Sequence, residues 1–155
     1  MKKLIIIRGP SGSGKTTIAA SIGRHQDYSV SWHEADDFFV GEDGEYHFNP
    51  QYLGQAHKSC QDSVRVEMCY ERSIIVVSNT SMKRWEMNPY LQLAREFDYD
   101  IEVIRTPGPW NAQESFERNL HGVPLTTIEK QIAKYEPYEG EFEWPDITYE
   151  RREQE

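Results

Sequence analysis

Cysteine is nearly absent. The 155 residues hold only Cys60 and Cys69, so the fold has no disulfide framework to rest on. Both fall on one predicted helix, where nine residues of separation set them about 13 Å apart along the axis and on opposite sides. They cannot pair within that helix, and no zinc-ligand spacing exists; two isolated thiols suit a reducing compartment. Long apolar runs are missing too. The N-terminal run, Leu4-Ile5-Ile6-Ile7, is only four residues long, too short to span a bilayer or to serve as the core of a signal peptide. With a mean hydropathy of −0.76, the expectation is a cytoplasmic protein with no membrane partner. Positive charge is scarce, 17 Lys and Arg against 26 acids for a net −9, which argues against loose coating of nucleic acid.

The acidity is uneven. Residues 136–155 carry eight acids against two arginines, a net of −6, leaving −3 for the other 135. There are no repeats, low-complexity tracts or interior linkers. The expected organisation is one domain over 1–135 followed by an acidic, aromatic tail over 136–155. A wholly disordered tail rarely carries residues such as Tyr138, Phe142 and Trp144, so part of it is expected to pack.

What the chain does have is Gly9-Pro10-Ser11-Gly12-Ser13-Gly14-Lys15-Thr16, followed by Thr17. This Gly-x-x-x-x-Gly-Lys-Thr pattern is a phosphate-cradling loop. Its glycines permit positive φ and close approach of the backbone, its successive N–H groups form an anion nest, and a helix starting near Gly14 adds its positive end. Lys15 is placed for β- and γ-phosphates and the Thr16 hydroxyl for Mg²⁺. The context agrees: the apolar run before the loop reads as a strand buried on both faces, and Ile18, Ala19 and Ile22 behind it have helical spacing. A Rossmann fingerprint is excluded because Thr17 occupies the third glycine position.

The second strand is expected over Tyr28–Trp32, delivering Glu34-Ala35-Asp36-Asp37 to the sheet edge. Ligands of open parallel sheets lie outside the carboxyl ends of the strands, so Asp36 and Asp37 should face the same crevice as the loop. Asn49 and Pro50 form a helix start, with Leu53, Ala56, Cys60, Val64 and Met68 inward; His57 on that helix reads either as an acceptor contact or as a core-edge histidine. The third strand, Ser73–Ser78, ends at Asn79, where an acid helping Mg²⁺ would be expected; Asn79 can bond a ligand or fix the loop without charge. Trp85–Phe97 reads as a helix and Asp100–Arg105 as the fourth strand. Asn111 caps a helix carrying Arg118, and Thr126 starts another. A last short strand is expected at Ile147–Tyr149. Strands alternating with helices predict an α/β fold, a three-layer sandwich around a four- to five-stranded parallel sheet with a helical lid over about 111–126.

Laid out in order, the phosphate loop, Asp36-Asp37, Tyr46-His47-Phe48-Asn49-Pro50, Asn79-Thr80 and Arg118-Asn119 leading to His121-Gly122-Val123-Pro124 resemble the P-loop kinases related to phage polynucleotide kinase. The likeness runs from about Leu4 to Glu136. It implies ATP and Mg²⁺ on the loop, with Gly9, Ser11, Gly12, Ser13, Gly14, Lys15, Thr16, Thr17 and Arg118 around the nucleotide. It also implies Asp36 as general base on a hydroxyl and Arg118 as the lid arginine. Two positions depart from that family: Phe38-Phe39 stands where an arginine grips a substrate phosphate, and Asn79 where an acid follows the third strand. The resemblance implies transfer of the γ-phosphate to the 5′-hydroxyl of a nucleic-acid end, with Asp36 on the acceptor side. From their own places in the chain, Asp37, Phe39, His57, Asn79, Lys83 and Arg84 are candidate acceptor contacts, and so few charges suit a short single-stranded end. Phe38, Phe39, Trp85 and Trp110 read equally as rings for stacking on a base and as core aromatics. A nucleoside, another small metabolite or a hydroxymethylated DNA base remain as alternative acceptors, and a nucleotide-binding switch without any acceptor as an alternative of another class.

Overall fold

The computed structural model describes residues 1–25 and 29–145. The elements run β1 (Lys3–Arg8), α1 (Lys15–His25), β2 (Val30–His33), α2 (Leu53–Cys69), β3 (Ile74–Val77), α3 (Asn88–Glu96), β4 (Asp100–Arg105), α4 (Ala112–Arg118), α5 (Leu125–Ala133) and β5 (Phe142–Glu143). The five strands form one sheet in the order β2-β3-β1-β4-β5, and every pairing is parallel.

Strand periodicity explains the layers. Side chains alternate across a strand, so Leu4 and Ile6 face one side of the sheet with Ile75, Val77 and Val103, against α2 and α3. Ile5 and Ile7 face the other with Ile74, Val76 and Ile104, against Ile18, Ala19 and Ile22 of α1. Burying each such Ile side chain contributes about 1.5–3 kcal/mol. On α2 the buried residues are Ala56, Cys60, Val64 and Met68, one per turn along a single stripe. Leu53, expected on that stripe, is 40% exposed, because it stands at the first turn where the helix leaves the sheet. Both cysteines are free, Cys60 buried and Cys69 exposed.

Element ends follow local chemistry. Asn49 Oδ1 accepts from Gln51 N at 3.0 Å and Pro50 opens a short 3-10 turn that runs into α2. The helix expected from Trp85 is split: a 3-10 turn at Arg84–Met87 precedes α3, since Pro89 offers no N–H to a helix begun a turn earlier. Asn111 Oδ1 caps α4 through Glu114 N at 3.0 Å. Pro124, not Thr126, caps α5.

The last strand forms at Phe142–Glu143; the strand expected at Ile147–Tyr149, like Tyr28 of the expected second strand, lies outside the described residues. The segment leading to β5 is held by Arg8, whose side chain is fully buried. Its Nε and Nη2 donate to Ser81 O at 2.9 and 2.6 Å, and Nη2 also to Met82 O at 3.0 Å. Its Nη1 meets Glu141 Oε1 at 2.9 Å. Glu136 N donates to Met82 O at 2.8 Å and Trp144 N to Arg105 O at 3.0 Å. The beginning of the acidic tail therefore belongs to the domain.

Candidate nucleotide and acceptor site

The phosphate loop crosses from β1 to α1 at the carboxyl edge of the sheet. Gly12 has φ +78°, and a Cβ there would fall on the backbone carbonyl of Ser115 in α4. Only glycine lets the loop lie this close to the lid helix. A Cβ on Gly9 would fall on Thr106 Oγ1. Thr106 is buried at the end of β4 and donates to Ser13 Oγ at 2.9 Å, while Trp110 Nε1 donates to Thr106 Oγ1 at 2.9 Å. From α5, Gln131 Oε1 accepts from Ser11 N at 2.9 Å and Nε2 donates to Ser11 Oγ at 3.2 Å. Both lid helices thus rest directly on the loop. Thr16 and Thr17 are exposed at the start of α1.

Lys15 Nζ donates to the carbonyls of Gly9 and Pro10, both at 3.0 Å. Burial pushes its pKa down to about 8, against the opposing pull of the Glu34 and Asp36 charges. Those two carboxylates are what the end of β2 delivers. Glu34 accepts from Ser78 Oγ at 3.1 Å, and its pKa is raised, chiefly by burial and then by Asp37. Asp37 is also raised by burial, opposed by its bond to Glu34 N. The turn Ala35–Phe39 is pinned from β3: Asn79 Oδ1 accepts from Ala35 N at 2.8 Å.

Asp36 is held at both oxygens. Tyr46 Oη donates to Oδ1 at 2.9 Å, and His121 Nε2 stands 3.8 Å from Oδ2. The Tyr46 and His121 rings lie 4.2 Å apart. His121 arrives from the loop between α4 and α5, which Asn119 shapes: its amide donates to Phe116 O at 2.8 Å and its Oδ1 accepts from Val123 N at 2.9 Å. Arg118 ends α4, exposed, 4.0 Å from Glu114.

Asp36 lies close enough for its charge to act on Lys15 of the loop, and Asp37 follows it on the same short turn. The structure corrects some of the expected acceptor contacts. Phe39 is 5% exposed and belongs to the core. Asn79 turns inward, its Nδ2 towards Tyr90 Oη at 3.4 Å, so it supports the Asp36 turn. Arg84 lies beside Glu136, which accepts from its backbone N–H at 3.0 Å, with the exposed guanidinium 3.9 Å away, and this pairing leaves it open to an acceptor. Trp110 carries the Arg105 guanidinium over its ring at 4.5 Å and meets Tyr135 edge-on at 4.8 Å. Lys83 and His57 are half-buried, and among the described residues no hydrogen bond or ion pair joins either side chain to Asp36. Tyr46, His121, Glu34 and Gln131 were missed as site residues. For Tyr46 and His121 the signal was present, since both sit in the motif segments; for Gln131 there was none.

A phosphate loop feeding a helix, with strand-end carboxylates acting on its lysine across a parallel sheet, defines a P-loop nucleotide-binding protein of the kinase-like class. The family model described as an AAA domain matches residues 4–138, and the chain belongs to that family. It is 31% identical over 140 residues to human NEDD4-binding protein 2, covering 87% of this chain and 8% of that protein, so the chain spans a small fraction of that relative. Among solved structures, the Pnkp1/Rnl/Hen1 RNA repair complex matches with TM-score 0.68 at 24% identity, over 86% of this chain and 43% of the other. The Mycobacterium tuberculosis APS kinase CysC, in complex with AMPPNP and APS, matches with TM-score 0.66 at 16% identity, over 99% and 95%. At these identities the two structures speak for the fold.

Proposed function

We propose that the chain is an ATP-dependent phosphotransferase that moves the γ-phosphoryl group to a hydroxyl, the 5′-hydroxyl at the end of a short polynucleotide strand. The observation that carries this is the setting of Asp36, whose carboxylate is met by Tyr46 Oη at 2.9 Å and by His121 of the lid loop at 3.8 Å, beside a phosphate loop whose Lys15 feels its charge. Gly9, Ser11–Thr17 and Arg118 surround the nucleotide. Mg²⁺ fits the exposed Thr16 hydroxyl together with the phosphates, and when bound it supplies charge neutralisation on the transferring group. Asp36 Oδ2 accepts the proton of the acceptor hydroxyl as that oxygen bonds to the γ-phosphorus and the bond to the bridging oxygen of ADP breaks. Lys15 and Arg118 offset the charge gathering on the phosphoryl oxygens. The lid of α4 and α5 excludes water, the competing acceptor. The test is turnover of labelled ATP alone and with a panel of hydroxyl acceptors. A kinase labels an acceptor; slow hydrolysis indifferent to every acceptor would mark a nucleotide switch instead.

A further inference from the structure

Charge divides this crevice in two. The cations at the site, Lys15 and Arg118, come from the phosphate loop and the lid. The stretch from His33 to Asn49, which builds the opposite wall, contains Glu34, Asp36, Asp37, Glu42, Asp43 and Glu45 and no Lys or Arg. Of its two histidines, His47 is already 3.1 Å from Asp43, and burial lowers the pKa of His33, keeping it neutral. From the lid, His121 faces Asp36 at 3.8 Å. This stretch itself offers an entering anion like charge and no guanidinium or ammonium.

The same wall carries aromatic rings held in place from beneath. Phe39 is buried, and two exposed rings pack edge-on against it: Phe38 at 5.4 Å and Phe48 at 5.1 Å. Phe38 is 42% and Phe48 51% exposed. Tyr46 lies within 12° of parallel to Phe48, with centroids 6.4 Å apart, and its hydroxyl is the donor to Asp36. The rings therefore connect directly to the carboxylate that handles the proton. Stacking of a base on such a ring is favourable for every base and needs no charge.

We propose that this acid-rimmed aromatic ledge receives the acceptor as a neutral flat ring, and that the acceptor class is a nucleoside recognised without any phosphate beyond its reacting hydroxyl. The inference rests on the phosphotransferase reading above and adds to it where the recognition energy comes from. A strand can still present its terminal nucleoside, but its phosphates hinder binding.

The experiment compares adenosine, adenosine 3′-monophosphate, a 5′-hydroxyl oligonucleotide and the ring-free glycerol as acceptors of labelled γ-phosphate, with the full chain and Mg·ATP, at low and moderate salt. Adenosine is expected to show the lowest KM. A 3′-phosphate should raise KM about fivefold, the size of one like-charge contact in water, and added salt should shrink the gap. Phe48→Leu, which keeps apolar bulk and removes the ring, should raise KM for adenosine about tenfold with kcat little changed; Phe38→Leu is the second variant should Phe48→Leu unfold. A lower KM with the 3′-phosphate would overturn the proposal, as would unchanged KM in both folded variants. Phosphorylation of glycerol but not of adenosine overturns it too, while leaving the kinase reading intact. If the folded chain binds ATP and labels none of the four, the kinase reading falls together with it.

Discussion

His121 Nε2 stands 3.8 Å from Asp36 Oδ2, although the two residues are 85 positions apart and lie on opposite sides of the crevice. The contact joins the lid loop to the carboxylate assigned as general base, so lid position and base position are set together. Asp36→Asn keeps the shape and removes the base; turnover should fall about 10²-fold or more with ATP affinity little changed. Tyr46→Phe leaves the ring and frees Oδ1, and should lower turnover far less. Steady-state kinetics beside ATP titration check both. If Asp37→Asn is the crippling change, the roles of the two acids are exchanged.

Lys15 yields a pH prediction. Its folded-state pKa of about 8 lies below the ordinary lysine value because burial disfavours the ammonium. The unfolded chain therefore binds the proton more readily, and this group's contribution to stability rises as pH climbs through 8 towards the unfolded value. ATP binding runs the other way, because the phosphates need the charged form. Affinity should be steady below pH 8 and fall about tenfold per unit well above it. Titrations from pH 6.5 to 9.5 would show this, and Lys15→Met should bind weakly with no such break.

Arg118 should matter more for turnover than for ATP affinity, since it meets the phosphates from a lid. Lys at this position should restore little, because a planar fork reaches two phosphate oxygens where an ammonium reaches one. Full rescue in Arg118→Lys would reduce Arg118 to a surface charge beside Glu114.

The buried pair Arg8–Glu141 predicts a stability effect away from the chemistry. Glu141→Gln strands a buried guanidinium and should cost about 3–5 kcal/mol, seen as a lower urea midpoint. Replacing both partners, as in Arg8→Met with Glu141→Met, should recover much of that loss. A double variant no better than the single one would show that the Arg8 bonds to Ser81 and Met82 matter more than the ion pair.

The sheet and the phosphate loop were legible because their signals are local: short continuous apolar runs such as Leu4–Ile7 and Ile74–Val77, and a fixed glycine and lysine spacing. Asp36 was legible from its place after a strand. The acceptor contacts were not, because which way a side chain turns depends on partners distant in sequence. Phe39 reads as stacking ring or core alike until Tyr46 and Phe48 are seen packed on it, and Asn79 reads as ligand contact or loop support alike until Ala35 N is seen on its oxygen. His121 was quoted as part of a motif, yet only the fold of the 119–124 loop shows that it reaches Asp36. Gln131 lies on an amphipathic helix, where nothing marks one polar residue as the partner of a loop 120 positions earlier.

Arg8 also constrains how the domain is completed. It is the last residue of the first strand, and the carboxylate that neutralises it comes 133 positions later. Without Glu141 the buried Arg8 guanidinium keeps only the carbonyls of Ser81 and Met82 as partners. A chain cut at 138, where the family match stops, would hold every residue assigned to chemistry and still lack the counter-charge for its own central strand. Closure of the domain thus rests on its final segment, and a fragment that contains the complete phosphate loop is predicted to remain unable to hold it.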